Sequence, residues 1–411
     1  MSITNIIQSK DVYNIIRKAL EIMDVRIMRH GEVTAYFLYK MLQTDGIYSE
    51  QELADYTMIG MMHDIGMIKT GYSKRIVDRE TKGVWAHSVY GYLFFRYLSP
   101  IGDKAEIVLY HHLPFRLHGM IKSQYMKIAE YLTLADKMDM YLCTDGDGLN
   151  RNYFSQNAGV EFSAKAVESF NKAQAKYNIM EKLNDGSYKD EMDALLANAH
   201  FTEKYKKGFL EMLIYTIDFR SQQTVMHTLA TTAFALELGR ILRVSTKELQ
   251  LLYYGALLHD IGKIAIPVEI LEAPRRLTDE EMQVMKAHVS VSEKILRGII
   301  DDEVLEVAVR HHEKLDGSGY HRGLKGEELT QLQRIVAVAD ILSALYGKRS
   351  YKDSFEPEKI KAILMKDAEA GKICQGIVSV AVGNFDTIIR NYEKQRKNTL
   401  GIYETILTQY D

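Results

Sequence analysis

A series of histidines and aspartates occurs twice in this chain, in one order and at nearly one spacing. His30, His63-Asp64, His87, His111-His112 and Asp136 recur as His227, His259-Asp260, His288, His311-His312 and Asp340, displaced by 196 to 204 residues. A single histidine is usually a hydrogen-bonded structural residue. Ten of the thirteen histidines fall into these two ordered sets, so a shared constellation is the better reading. The flanking text agrees: "RHGEVTAYFLYKML" parallels "MHTLATTAFALELGRIL", and "YLTLADKMDMY" parallels "IVAVADILSAL". Self-similarity of this kind means one structural unit built twice.

The unit is helical. "KDVYNIIRKALEIMDVRIM", "VTAYFLYKML", "VMHTLATTAFALELGRIL" and "LQRIVAVADILSALY" place apolar residues three and four apart, and β-branched alternation is nearly absent. Only five prolines interrupt 411 residues. The expectation is an all-α protein with two tandem domains, 1–184 and 185–411. "GVEFSAKAVESF" at 159–170 reads as a closing amphipathic helix of the first, "NDGSYKDEM" at 184–192 carries turn signals, and "DALLANAHFTEKYKKGFLEMLIYTIDFR" reads as one long helical linker.

Composition excludes several classes. Net charge is −3 with mixed signs, which argues against a DNA- or RNA-coating surface. Cys143 and Cys374 stand far apart in no ligand-like pair, so neither a disulfide framework nor a thiolate zinc site is expected. The opening lacks a basic start followed by an apolar block, and no apolar run approaches the roughly 18 residues of a membrane span. A cytoplasmic protein is expected.

In the second unit His259 and Asp260 end an apolar helical run, with Gly262 as the stop. Adjacent helical side chains diverge by about 100°. Such a pair can grip two neighbouring points, as two metal ions about 3.5–4 Å apart require. A carboxylate has two oxygens, so Asp260 can serve both ions. Histidines and carboxylates without thiolates suit iron, manganese or zinc. Phosphodiester hydrolysis is the natural reaction of such a pair. Lys263, one turn on, can bring an ammonium beside the phosphate. "DGSGYHRGLKG" at 316–326 is a glycine-rich loop whose backbone N–H groups a ligand can approach. Arg349 and Lys352, in "KRSYKD" beyond Asp340, form a candidate phosphate grip.

"HDIGKIAIP", "HHEKLDGSGYHRG", "RIVAVADILSALYGKRSYK" and the lead-in "IDFRSQQTVMH" together resemble the HD-GYP family over about residues 205–390. That resemblance implies a helical HD fold and metal-dependent hydrolysis of a bacterial cyclic dinucleotide, cyclic di-GMP or 3',3'-cyclic GMP-AMP. The product would be a linear dinucleotide or, onward, mononucleotides. It implies two divalent metal ions, iron or manganese: one on His227, His259, Asp260 and Asp340, the other on Asp260, His288, His311 and His312. Lys263, Arg349 and Lys352 match the family's phosphate-binding positions, and Gly319-Tyr320 its ligand-facing loop. Three departures stand out. His321 replaces the namesake proline, Gln223 stands where some members carry a glutamate for a third metal, and Ser221 and Ser343 replace aspartates.

The first unit resembles a divergent HD domain. It keeps His30, His63, Asp64, His87, His111, His112 and Asp136 as a second candidate metal site, whose alternative is a fossil kept as buried structure. Met67 stands where the second unit has Lys263, and "LPFRLHGMIKSQYMK" replaces the glycine-rich loop. Asp145 stands at Arg349's position, Lys69 offers only partial compensation, and Arg151 is out of register. The resemblance leaves two alternatives to catalysis on a cyclic dinucleotide: a non-catalytic cyclic-dinucleotide receptor or adaptor binding a diguanylate cyclase, and an HD phosphohydrolase acting on mononucleotides. A diguanylate cyclase and a second copy of the chain, as a homodimer, are the candidate protein partners.

Overall fold

The computed structural model describes residues 6–70, 84–144, 151–199, 201–220, 225–347 and 355–410. Among these residues every named element is a helix, and the only β features are two isolated bridges, Ala158 with Phe162 and Asp316 with Lys325. No described helix is long and apolar enough to cross a membrane. The chain divides into two compact units. One comprises Gln8–Met212 with Thr408–Asp411, the other Leu213–Leu407 with Met1–Ile7.

In the first unit, helix Val25–Asp45 is the central element. Its residues are buried almost all round, including Phe37, Leu38, Met41 and Leu42, as befits a core helix. It packs on helices Ser9–Met23, Glu50–Met62, Met126–Thr144 and Ala164–Tyr177. The approach to Glu50–Met62 is close enough that a Cβ on Gly31 would stand 2.5 Å from the Met61 carbonyl oxygen. That crossing carries His30 to His63. In the second unit, helix Val225–Ile241 lies against Thr246–Leu258 and Gln331–Tyr346, while Asp302–Val309 packs on Thr246–Leu258.

Both His-Asp pairs are delivered by the same local device. Helices Glu50–Met62 and Thr246–Leu258 each begin at a Ser-x-x-Glu capping box, Ser49/Glu52 and Ser245/Glu248. Each ends on the histidine, His63 or His259, which stands at the C-cap. Ser245→Ala should destabilise the second unit by about 1 kcal/mol. Urea unfolding of the full chain checks that value.

Two apolar patterns run through breaks they do not reveal. The stretch 10–28 forms two helices because Asp24 turns extended (φ −161°) and caps the next helix through the Arg26 N–H. The stretch 193–220 likewise contains parts of Tyr188–Asn198 and Glu203–Asp218, with Ala199 extended between them. The contact-defined division falls at Met212/Leu213, inside the latter helix, rather than near 184. Helix Tyr188–Asn198 buries Tyr188, Met192, Leu195 and Leu196 and packs on Ser9–Met23 and Glu50–Met62 of the first unit.

Candidate metal centres

In the second unit, five helices bring seven side chains to one point. Helix Val225–Ile241 contributes His227, the end of Thr246–Leu258 His259-Asp260, Asp279–Leu296 His288, the end of Asp302–Val309 His311-His312, and Gln331–Tyr346 Asp340. Asp260 lies at the centre and its two oxygens face different partners. Oδ2 is 3.4 Å from His227 Nε2 and 3.1 Å from His259 Nε2. Oδ1 is 3.2 Å from His288 Nε2 and 3.9 Å from His311 Nε2. Asp340 Oδ1 stands 3.0 Å from His227 Nε2 and 3.7 Å from His259 Nε2, and its Oδ2 stands 3.6 Å from His312 Nδ1. Two groups with ligand spacing result: His227, His259 and Asp260, and His288, His311 and His312.

The rings are oriented from behind. Nδ1 of His259, His288 and His311 donates to the carbonyls of Ala256, Met285 and Ala308, at 2.7, 2.6 and 2.8 Å. This leaves their Nε2 lone pairs pointing inward. His227 Nδ1 lies 2.9 Å from Ser343 Oγ, whose hydroxyl donates onward to the Asp340 carbonyl. Gly262 permits the turn after Asp260, because a Cβ there would lie 2.0 Å from the His288 carbonyl oxygen. Gly66 meets the His87 carbonyl at the same 2.0 Å, so the shared Ile-Gly has one steric cause in both units.

Electrostatics match the geometry. Burial acts to raise Asp260, but His259 and Lys263 outweigh it and hold the carboxyl well below the usual range. Burial acts to raise Asp340 as well, and His227, with Nε2 3.0 Å away, is foremost among the neighbouring histidines that hold it well below the usual range. Burial lowers His288 and His311, and takes His312 to about 4, which keeps these imidazoles neutral. His259 Nε2 and Asp260 Oδ1 are buried with no hydrogen-bond partner. Ionised carboxylates, inward lone pairs and orphaned buried atoms fit divalent cations.

Lys263 Nζ lies 2.5 Å from Asp260 Oδ2, and Asp260 raises the ammonium's pKa against the lowering effect of burial. The turn that carries it is held by Arg220, whose guanidinium bonds the carbonyls of Lys263, Ile264 and Ile266 at 3.2, 2.7 and 3.1 Å. The glycine-rich loop begins directly behind His312. Gly319 passes so near that a Cβ would stand 2.5 Å from Glu313 Cα, and the Tyr320 ring lies 4.6 Å from the His312 ring. Buried Glu313 collects the loop, accepting N–H groups of His321, Arg322 and Leu324 at 3.2, 2.7 and 3.0 Å. The first of these bonds is one a proline could not make. His321 also binds Glu293, its Nε2 standing 2.5 Å from Oε2. Neither Arg220 nor Glu313 was singled out by the motifs. For Glu313 the signal was a carboxylate opening a loop rich in exposed N–H groups. Arg349, Lys352, Gln223, Ser221 and Asp145 lie outside the described residues.

Glu313→Ala strips three charge-assisted bonds, each worth about 1.5–3 kcal/mol. It should raise KM by more than about tenfold while bound metal stays unchanged. Steady-state kinetics with elemental analysis checks both.

The first unit assembles its own set. Asp64 Oδ1 is 3.4 Å from His87 Nε2 and 3.6 Å from His63 Nε2, and Asp136 Oδ1 is 3.0 Å from His30 Nε2. Asp64, His87, His111 and His112 form one group with ligand spacing, and His30, His63 and Asp136 another. Met67, buried, occupies Lys263's place: its N–H bonds the Asp64 carbonyl as that of Lys263 bonds Asp260's, both at 2.9 Å. A cavity of about 300 Å³ opens on His30, Asp64, His87, His112 and Asp136, with Met67 and Lys137 in its wall. After His112 the chain turns into the 3-10 helix Phe115–Met120 instead of a glycine-rich loop. Lys69 is half-buried at the end of helix Met67–Thr70.

These two centres on helical frames define a tandem HD-domain protein. Residues 9–141 and 211–373 each match the HD domain family. The chain belongs to the HD-GYP family and carries an additional N-terminal HD domain. It is 26% identical to the 3'3'-cGAMP-specific phosphodiesterase 1 of Vibrio cholerae, over 92% of this chain and 90% of that protein. It is 34% identical to the cyclic di-GMP phosphodiesterase response regulator RpfG of Xanthomonas campestris, over 44% of this chain and 53% of that one. The fold is shared with the crystal structure of a cyclic GMP-AMP-specific phosphodiesterase of V. cholerae. That match has a TM-score of 0.57 at 18% identity and covers 92% of this chain and 98% of the other.

Proposed function

We propose that the second unit is a metal-dependent phosphodiesterase that opens a bacterial 3',3' cyclic dinucleotide to the linear form. The observation that carries this reading is Asp260, a buried ionised carboxylate whose two oxygens face separate histidine groups, with an ammonium at its side. His227, His259, Asp260 and Asp340 would hold one divalent ion and Asp260, His288, His311 and His312 the other, iron or manganese by family resemblance. Two such ions supply a nucleophile at neutral pH and an electrostatic clamp on the phosphoryl group.

The chain's own residues do the rest. Lys263 keeps its proton and meets negative charge that develops on the non-bridging oxygens. Ser343 and the three helical carbonyls fix the imidazole tautomers, so no ring must turn during turnover. Glu313 and Gly319 set the loop edge, with Tyr320 beside His312, and Arg349 and Lys352 are the further phosphate contacts. Of the two nucleotides, cyclic GMP-AMP is favoured, because the relative matched across both units is named for it. Incubating the purified chain with cyclic di-GMP and with cyclic GMP-AMP, under manganese or reduced iron, tests the reading. Absence of a linear product from both would end it.

The second unit should carry two ions and not three, because the neutral amide of Gln223 is a poor substitute for a carboxylate. Anomalous scattering from metal-loaded crystals should show two peaks there, with none at Gln223.

A further inference from the structure

We infer that the first unit holds its own divalent cations, and holds them more tightly than the second, because Asp139 and Met67 replace Ser343 and Lys263. His30 is gripped from both nitrogens by carboxylates one turn apart on helix Met126–Thr144. Its Nε2 is 3.0 Å from Asp136 Oδ1 and its Nδ1 is 2.8 Å from Asp139 Oδ2. Asp139 is fully buried. The corresponding partner of His227 Nδ1 is the neutral hydroxyl of Ser343. A carboxylate behind a ligand imidazole strengthens the donor nitrogen, and removing such a partner costs about 10–100-fold in metal affinity.

The second difference has the same sign. Lys263 puts a fixed positive charge 2.5 Å from Asp260 Oδ2, where it opposes an incoming cation, with Asp218 nearby offsetting part of it. Met67 brings no charge to Asp64. Asp64, Asp136 and Asp139 face the first centre with Lys137 in the cavity wall, whereas in the second, among Asp260, Asp340 and Asp218, a lysine is bonded to the central carboxylate itself. Arg29, whose Nη1 is 3.9 Å from Asp139 Oδ1, is 57% exposed and water screens it. The donors are also ready. Nδ1 of His63 and His111 is committed to the carbonyls of Gly60 and Val108 at 2.8 and 2.5 Å. His111 Nε2 and Asp136 Oδ2 are buried with no hydrogen-bond partner, as a ligand set awaiting a cation would be. The cavity of about 300 Å³ on this set is the entry path. The second unit thus gives up metal affinity for the ammonium its chemistry uses, and the first does not.

The test counts metal, so it stands apart from whether the second unit cleaves anything. Full-length His259→Ala/Asp260→Ala chain, which isolates the first centre, and His63→Ala/Asp64→Ala chain, which isolates the second, are equilibrated with manganese(II) in graded chelator buffers. Bound metal is then measured by elemental mass spectrometry, with far-UV circular dichroism and melting as controls. The first chain should keep manganese at free concentrations at least about tenfold below those that empty the second. Asp139→Asn, which preserves shape and an acceptor oxygen, should weaken the first centre by about 10–100-fold. Lys263→Met should tighten the second. No manganese in a natively melting His259→Ala/Asp260→Ala chain overturns the proposal. So does an Asp139→Asn chain that binds as tightly as its parent, or a first centre that empties before the second.

Discussion

Asp260→Ala should abolish turnover of a cyclic dinucleotide, by more than about a thousandfold, in a chain that still folds. One side chain touches both halves of the second centre: its Oδ2 faces His227 and His259 and its Oδ1 faces His288 and His311. Asp340 also reaches both, through Oδ1 at His227 and Oδ2 at His312, but Asp260 alone is proposed as a ligand of both ions. Losing one preorganised electrostatic contact commonly costs about 10²–10³ in rate. Here the loss also removes the carboxylate proposed to join the two ions and the counter-ion of Lys263. Measured turnover, with metal content determined on the same preparation, decides the matter. Retained activity in the metal-loaded variant would sink the proposed mechanism.

The second large effect is an asymmetry. His259→Ala with Asp260→Ala should abolish turnover, whereas His63→Ala with Asp64→Ala should leave it near that of the parent. Both pairs occupy the same place, at the end of a Ser-x-x-Glu-capped helix and above a close-packed glycine. The difference lies in the charges around them. Met67 stands in for Lys263, and a 3-10 helix replaces the Glu313-gathered loop. A missing preorganised cation alone withholds about 3–4 kcal/mol from a phosphoryl transition state. Activity assays on the two double variants, each checked for folding and for metal in the opposite unit, make the comparison. A folded first-unit variant that keeps its second-unit metals and is still dead would disprove the division of labour.

Much of this protein was legible in its residues. The order His, His-Asp, His, His-His, Asp, met twice, marked two units and the two sets of side chains that each fold brings together, because side chains that bind metals are few in kind and their helical spacing is regular. The same text, compared with itself, showed that the first unit lacks a lysine at 263's counterpart. The departure at His321 was visible too, and the fold gives that residue polar contacts with Glu293 and Glu313.

What only the tertiary structure decided concerns groups far apart in the chain. Apolar periodicity ran through Asp24 and Ala199 because a helix break depends on backbone torsion and capping, while the burial pattern continues on either side. Arg220 reaches carbonyls more than forty positions ahead, and nothing in its own neighbourhood announces them. Asp139 is one more acidic residue on a helix until the crossing of Val25–Asp45 with Met126–Thr144 sets it behind His30, 109 positions away. Residue type and local spacing state which atoms can bind a metal. Which oxygen meets which nitrogen, and what charge stands behind it, follows from how closely the helices approach. That distance is fixed by side-chain volumes and bare glycines at crossings, summed over the whole core.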